Sequence, residues 1–151
     1  MTQAMENRIT DPEKACLIER EFEADDTCLP EVLAFLEEEL ERHDAGPKQM
    51  MALSLALEEA FVNVAHYAYE NMPQGKAWVS LSFEGDQVFI TLKDRGMEFD
   101  PLANKDPDIT ASAEDRQIGG LGIFMIKKST DSCSYKRENG YNILTMAKTI
   151  R

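Results

Sequence analysis

Hydrophobic spacing along the chain shifts between alternating and helical patterns and divides the chain into successive elements. Apolar positions within residues 15–22 alternate imperfectly and predict a first strand. Pro30 begins a helix whose acidic face predicts contact with solvent and leaves a partner-docking role open. After a break at Gly46, a second helix is predicted from about Pro47 to about Glu70. The apolar faces are Val32, Phe35, Leu36 and Leu40 in the first helix and Leu53, Leu57, Ala60, Phe61, Val64 and Ala68 in the second.

Alternating strands follow the second helix. Residues 77–83 and 88–92 alternate apolar and polar side chains, and the turn residues 84–86 predict that the two strands form a hairpin. The stretch 94–122 is polar, contains several glycines and prolines, and has no periodicity. A long loop of this kind in a compact domain is typical of a functional lid.

The last part of the chain returns to regular elements. A helix is predicted from Ile123 to Lys128, and residues 133–136 and 141–147 predict a closing hairpin. Helices combined with mainly antiparallel strand neighbours favour an α+β fold of two layers over a doubly wound sheet.

Composition narrows the classes of function. The length of 151 residues fits one domain, which we expect at 15–151 after a polar, flexible segment at 1–14. The net charge of −12 argues against nucleic-acid binding, which needs a basic patch, but still permits one bound nucleotide. No apolar run predicts a membrane span or a secretory signal. The three cysteines lack metal or disulfide spacing, so we expect a cytoplasmic protein.

The first chemical motif is a polar pair on the second helix. Glu59 and Asn63 are four residues apart, so they share one helix face inside an apolar stretch. Oxygen ligands of this kind suit a hard cation such as Mg²⁺, which takes few protein ligands and retains water or phosphate. Taken alone, the pair is also explained by a solvated or hydrogen-bonded helix face, since exposed polar pairs at this spacing are common.

The second motif follows a strand. Asp94 ends an apolar run, so its carboxylate can be partly buried and can accept a directed hydrogen bond, for example from the amine of adenine. Gly96 would let the backbone turn closely beneath the ring. Taken alone, the same residues also fit an ordinary turn.

The third motif is a glycine cluster immediately before the third helix. Gly119, Gly120 and Gly122 permit close approach of the backbone, and the helix that follows offers free amides and a positive dipole end. Both features suit phosphate. The cluster is neither a Walker loop nor the dinucleotide fingerprint, because the residues and the setting of those motifs are missing.

Together the three motifs resemble, in order and spacing, the N, G1 and G2 boxes of the GHKL (Bergerat-fold) ATPase superfamily. The chain is more closely similar to the anti-sigma-factor serine/threonine kinases (RsbW-like) of bacterial partner-switching systems, over about residues 15–149. This resemblance implies a two-layer Bergerat ATP-binding sandwich. Its mixed, mostly antiparallel sheet would be covered on one face by helices.

The resemblance also implies roles in binding ATP and in catalysis. Asn63 would ligate the Mg²⁺ that bridges the ATP phosphates, and Glu59 would act as general base or orient the attacking serine hydroxyl. Asp94 would bind the adenine amine, and Gly96 would shape that pocket.

Further positions follow from the same resemblance. Gly120 and Gly122 would hold phosphate, and Arg116 would lie near the γ-phosphate and the substrate protein. Thr145, on the last strand, is expected to touch the adenine site. The chain departs from the family pattern after Asn63, where His66 is out of register, so we assign His66 no catalytic role.

As a member of that family, the chain would be an ATP- and Mg²⁺-dependent kinase that phosphorylates a STAS-type anti-sigma-factor antagonist. In its other state it would sequester a sigma factor, and it would form a homodimer. An alternative is a non-catalytic regulatory module whose nucleotide state controls partner binding. A detached domain that phosphorylates histidine is a third hypothesis.

Overall fold

The structure, a computed structural model, describes residues 6–9, 16–102 and 120–151, with side chains for 17–102 and 125–151. These residues contain one sheet of six strands, and every pair of neighbours in it is antiparallel. The strands are β1 (Glu6–Ile9), β2 (Cys16–Glu23), β3 (Lys76–Glu84), β4 (Gln87–Asp94), β5 (Ser132–Glu138) and β6 (Tyr141–Thr149). Their order across the sheet is β1-β2-β3-β4-β6-β5.

The helices in this part of the chain are α1 (Leu29–Arg42), α2 (Pro47–Asn63) and α3 (Gly120–Ser129). Each of the first two has a proline in its first turn, where the missing N–H would have no helical acceptor and the fixed φ favours the helix. A π-helical segment, Val64–Ala68, continues α2. None of the described helices is long and apolar enough to cross a membrane.

Strand alternation gives the sheet an inner and an outer face. On the inner face, Val79 lies opposite Leu92 and Leu81 lies opposite Ile90, and all four are buried. The buried apolar residues of α1 and α2 belong to the same hydrophobic core as these strand residues. The core therefore lies between the sheet and the helices, and the predicted two-layer α+β fold is confirmed.

The outer face has an aromatic cluster near the end of β4. The rings of Trp78 and Tyr141 meet edge to face, with centroids 5.7 Å apart. Trp78 Nε1 donates a hydrogen bond to Glu21 at 3.0 Å. Lys93 and Arg95 lie over the Tyr141 ring, at 5.0 and 5.4 Å from its centroid. We call Trp78, Tyr141, Lys93 and Arg95 the outer-face cluster.

Two elements differ from the sequence-based prediction. The sequence analysis predicts no strand within residues 1–14, whereas β1 pairs with β2 from Glu6 opposite Arg20 to Ile9 opposite Leu17. An edge strand is held by backbone hydrogen bonds to its neighbour and does not need alternating apolar side chains, so β1 is not visible in the hydrophobic pattern. The third helix begins at Gly120 rather than Ile123, because packing against α2 outweighs the low helix propensity of glycine.

Candidate nucleotide-binding site

The turn after β4 packs against the end of the helical segment that follows Asn63. Met97 N donates a hydrogen bond to Ala68 O at 2.8 Å. A Cβ at Gly96 would lie 2.1 Å from the same carbonyl oxygen, so a side chain does not fit there. Because Ala68 ends the π-helical segment that begins directly after Asn63, the second motif contacts the helical segment that continues the helix of the first.

Asp94 is the last residue of β4 and is only 4% exposed. Its Oδ1 accepts hydrogen bonds from Gly96 N at 2.8 Å and from Asn142 Nδ2 at 2.9 Å. Within the described residues, no hydrogen bond reaches its Oδ2. Burial raises the pKa of Asp94 above its ordinary value of 3.8, while the two hydrogen bonds and the charge of Arg137 oppose that rise. One carboxylate oxygen is therefore fixed by the protein, and the other remains available to a ligand.

Asn142 lies opposite Asp94 in the pairing of β4 with β6, and the sequence analysis missed it. Its Nδ2 donates to Asp94 Oδ1 and, at 2.8 Å, to Met97 O. Its Oδ1 accepts hydrogen bonds from Phe99 N at 3.3 Å and from Tyr135 OH at 2.6 Å. The only signal in the sequence was a polar residue at an inner-face position of an otherwise apolar strand.

Two more side chains hold the backbone of the turn. Arg137 Nη1 donates to Gly96 O at 2.8 Å. The Tyr69 hydroxyl donates to Lys76 O and accepts a hydrogen bond from Arg95 N at 2.8 Å. Burial is the main cause of the raised pKa of Tyr69, which keeps this hydroxyl protonated as a donor. The turn is thus fixed on one side by Arg137 of β5 and on the other by Tyr69, which directly follows the π-helical segment.

Glu59 and Asn63 lie in the last turns of α2, one helical turn apart, and both are half-buried. Neither side chain makes a hydrogen bond or ion pair within residues 17–102 and 125–151. The described residues also contain no group of three or more His, Cys, Asp or Glu side chains that could hold a metal. One amide and one carboxylate do not enclose a cation, but they fit Mg²⁺ that is shared with phosphate and water.

The glycine motif begins α3. Gly120 is its first residue and Gly122 lies in its first turn, where backbone N–H groups have no acceptor within the helix. The helix packs against α2. The elements containing the three motifs are therefore neighbours, and the free amides of α3 lie on an element beside the helix of Glu59 and Asn63.

Comparison with known proteins identifies the family of this fold. Residues 22–148 match the family described as histidine kinase-like ATPase domain. The chain belongs to that family. It is 26% identical to the serine/threonine-protein kinase BtrW of Bordetella bronchiseptica over 120 residues, which cover 80% of the chain and 84% of that relative. It is 28% identical to the serine-protein kinase RsbW of Listeria monocytogenes over 102 residues, or 65% of the chain and 64% of that relative.

Solved structures share the same architecture. The RsbU and RsbW domains of Rv1364c from Mycobacterium tuberculosis match with a TM-score of 0.59 and 15% identity, over 87% of this chain and 32% of that one. The SiaB–SiaC complex from Pseudomonas aeruginosa matches with a TM-score of 0.55 and 17% identity, over 87% and 89%. The predicted membership of the GHKL superfamily, with its RsbW-like resemblance and its Bergerat fold, is confirmed.

In this histidine kinase-like ATPase, the structure does not bring Thr145 to Asp94, and the contact of Thr145 with the adenine site stays a prediction. Thr145 lies opposite Thr91, with their hydroxyl oxygens 3.4 Å apart, on the outer face of the sheet. Asp94 is on the inner face, where Asn142 lies opposite it. The two residues are separated by an odd number of positions along β6, so they point to opposite faces.

Arg116 lies outside the described residues, so its predicted position near the γ-phosphate stays a prediction. His66, to which the sequence analysis gave no catalytic role, lies in the π-helical segment. Its Nε2 is 2.7 Å from Asp26 Oδ2, and both side chains are substantially exposed. This contact joins the π-helical segment to the connection between β2 and α1.

Proposed function

We propose that this histidine kinase-like ATPase binds ATP with Mg²⁺ and transfers the γ-phosphate to a serine or threonine hydroxyl of a partner protein. The observation that supports this most directly is the buried carboxylate of Asp94, with one oxygen fixed and one available, beside the helical segment that continues α2. The names of the relatives BtrW and RsbW, both serine or serine/threonine kinases, support the same reaction.

Asp94 would recognise the adenine base. Its Oδ2 can accept a hydrogen bond from the exocyclic amine of adenine. Guanine has a carbonyl at that position, and an ionised carboxylate has no hydrogen to donate to it. The turn at Gly96, which has no side chain, would allow the base to approach the backbone closely.

The phosphates of the nucleotide would lie near Asn63, Glu59 and the start of α3. The amide oxygen of Asn63 would hold Mg²⁺, which neutralises phosphate charge during the transfer. The free amides of Gly120 and Gly122 would donate to phosphate oxygens at the positive end of the α3 dipole. Arg116 would contribute a positive charge near the γ-phosphate.

Glu59 would act on the attacking hydroxyl. Its carboxylate would accept the hydroxyl proton, or orient that hydroxyl, as the new oxygen–phosphorus bond forms on the γ-phosphate. The bond between the γ-phosphorus and its bridging oxygen breaks, and ADP leaves. Positioning and charge neutralisation provide most of the rate in transfers of this type.

The proposed partner is a STAS-type anti-sigma-factor antagonist, and a sigma factor would be bound in the alternative state. The kinase names of the relatives BtrW and RsbW support a phosphorylated protein partner. We further propose that the chain forms a homodimer. A cytoplasmic location fits the two free cysteines among the described residues, Cys28 and Cys133.

Transfer of γ-labelled phosphate to small STAS-type proteins from the same bacterium would test the proposed reaction. Glu59→Gln should lower kcat by about 10²–10⁴-fold while leaving ATP binding intact. Glu58→Gln, one position earlier on α2, is the matched control and should retain activity. Asn63→Ala should abolish Mg²⁺-dependent ATP binding.

Two outcomes would each contradict a part of this proposal. If Glu59→Gln transferred phosphate as fast as the unmodified chain, Glu59 would have no role in the reaction. If the unmodified chain bound ATP and a partner but transferred no phosphate, the alternative would hold. The chain would then be a regulatory module whose nucleotide state sets partner affinity.

A further inference from the structure

The orientation of the Asn142 side chain is determined by two backbone groups. Phe99 N–H can only donate, so the amide atom that faces it must be the oxygen. Met97 O can only accept, so the atom that faces it must be the nitrogen. The usual ambiguity between the oxygen and nitrogen of an asparagine amide is therefore resolved.

This fixed amide determines which oxygen of Asp94 is available. The second hydrogen of Asn142 Nδ2 points to Asp94 Oδ1, which also accepts from Gly96 N. With two donors on one oxygen, the carboxylate plane is held, and only Oδ2 remains for a ligand. Asn142 is 7% exposed, and Tyr135 OH holds its oxygen at 2.6 Å, so the amide cannot move aside without breaking buried hydrogen bonds.

We propose that Asn142 is the positioning residue for base selection: it aims Asp94 at the adenine amine and thereby makes the site prefer ATP over GTP. Asn142 acts through Asp94 and does not itself touch the base. This inference rests on the ATP binding in the proposed function, but not on phosphate transfer.

The Asn142 hydrogen bond also favours the ionised, purely accepting form of Asp94. That bond opposes the rise in the pKa of Asp94 caused by burial. Among the described residues, Arg137 from β5 also lowers this pKa, and Tyr69 is a titratable neighbour whose own pKa Asp94 raises. Without Asn142, Asp94 would be protonated at higher pH. A protonated carboxyl can donate to the carbonyl of guanine, so discrimination should weaken.

An isosteric pair of variants tests this role. Asn142→Val removes the donor, whereas Asn142→Thr has the same shape and retains one hydroxyl that can donate to Asp94. Both residues are β-branched and suit a strand. Thr91→Val, on the outer face of the neighbouring strand β4, is the matched control. Dissociation constants for ATP and GTP would be measured on the full chain by titration calorimetry across a range of pH, together with Tm.

Asn142→Val should reduce the ratio of the GTP to the ATP dissociation constant by about tenfold, the effect of one lost hydrogen bond. The acidic limit of ATP binding should move to higher pH. Asn142→Thr should fall between Asn142→Val and the unmodified chain in both measurements, and Thr91→Val should change neither.

Asn142→Val could lower Tm but leave the ratio of the GTP to the ATP dissociation constant and the pH dependence of ATP binding unchanged. That result would overturn the inference and leave Asn142 a merely structural residue. Failure of the unmodified chain to bind ATP would overturn this inference and the proposed function together. ATP binding with altered selectivity in Asn142→Val but no phosphate transfer by the unmodified chain would support this inference and contradict only the kinase.

Discussion

Asp94→Asn reverses the hydrogen-bonding sense of a single atom in the candidate site. The variant side chain has nearly the same size, and its oxygen can still accept from Gly96 N and Asn142 Nδ2. The outward atom, however, changes from an acceptor oxygen to an NH₂ donor. A donor then faces the amine of adenine, while the same donor matches the carbonyl of guanine.

Two costs of this change add up for ATP. A hydrogen bond to a charged acceptor contributes about 1.5–3 kcal/mol, and an unsatisfied buried donor costs about 1–3 kcal/mol. The sum of roughly 2.5–6 kcal/mol corresponds to an ATP affinity lowered by about 10²–10⁴-fold, at about 1.4 kcal/mol per tenfold. GTP affinity should rise, or fall far less.

Asp94→Asn should lower ATP affinity, but the thermal stability of the variant relative to the unmodified chain should increase as the pH rises. Burial raises the pKa of Asp94, so the folded state binds its proton more tightly than the unfolded state does. The stability that Asp94 contributes is therefore fully present below its ordinary pKa of 3.8 and is lost as the pH rises through its folded value. Because Asn does not titrate, Tm of Asp94→Asn relative to the unmodified chain should increase from about pH 4.5 to about pH 8.

Titration calorimetry with ATP and GTP, and thermal unfolding at both pH values, would test these expectations. Asp100→Asn is the matched control, because Asp100 is exposed and, among the residues that the structure describes, accepts a hydrogen bond from Leu102 N at 2.8 Å. Equal loss of ATP and GTP affinity in Asp94→Asn would refute the reasoning. So would a Tm difference that shrinks as the pH rises.

Three further predictions concern the elements around Asp94. Gly96→Ala should lower the free energy of unfolding in urea by about 1–3 kcal/mol, because its Cβ would overlap Ala68; unchanged stability would mean that the turn can move away. Tyr69→Phe should lower the free energy of unfolding by about 1–3 kcal/mol, since the backbone groups of Lys76 and Arg95 lose their hydroxyl partner. A change near zero would mean that water replaces the hydroxyl. His66→Ala should change the free energy of unfolding by less than about 1 kcal/mol, because the pair of His66 with Asp26 is exposed. The rate of phosphate transfer should be unchanged. A large loss of phosphate transfer would show that the sequence analysis excluded His66 wrongly.

Local patterns were sufficient for most of the fold. Alternation identified the inner faces of β3 and β4, and Val79, Leu81 and Ile90 are fully buried there. The turn at Asn139 and Gly140, where both residues have positive φ, matches the predicted closing hairpin. In each case neighbouring residues in the sequence determine the structure, so the sequence alone is informative.

The polar network around Asp94 was less predictable, because it depends on pairing between distant segments. Whether Asn142 or Thr145 faces Asp94 is decided by the register of β6 against β4, and a shift of one residue would exchange the two faces. Tyr69 reaches the backbone of Arg95 only because the π-helical segment ends beside the turn. The motif residues Asp94 and Gly96 could be found from sequence, but the partners that orient them could not.

Trp78 is the single tryptophan of the chain, and its place in the outer-face cluster makes it an intrinsic fluorophore for one side of the sheet. It lies opposite Lys93, whereas Asp94 lies opposite Ala77 on the inner face. A nucleotide beside Asp94 would be separated from the indole by the sheet. A second copy or a partner that covers the outer face would remove water from the indole and shift its emission to shorter wavelength. The tryptophan emission of unlabelled protein can therefore report a partner on the outer face without responding to a nucleotide on the inner face.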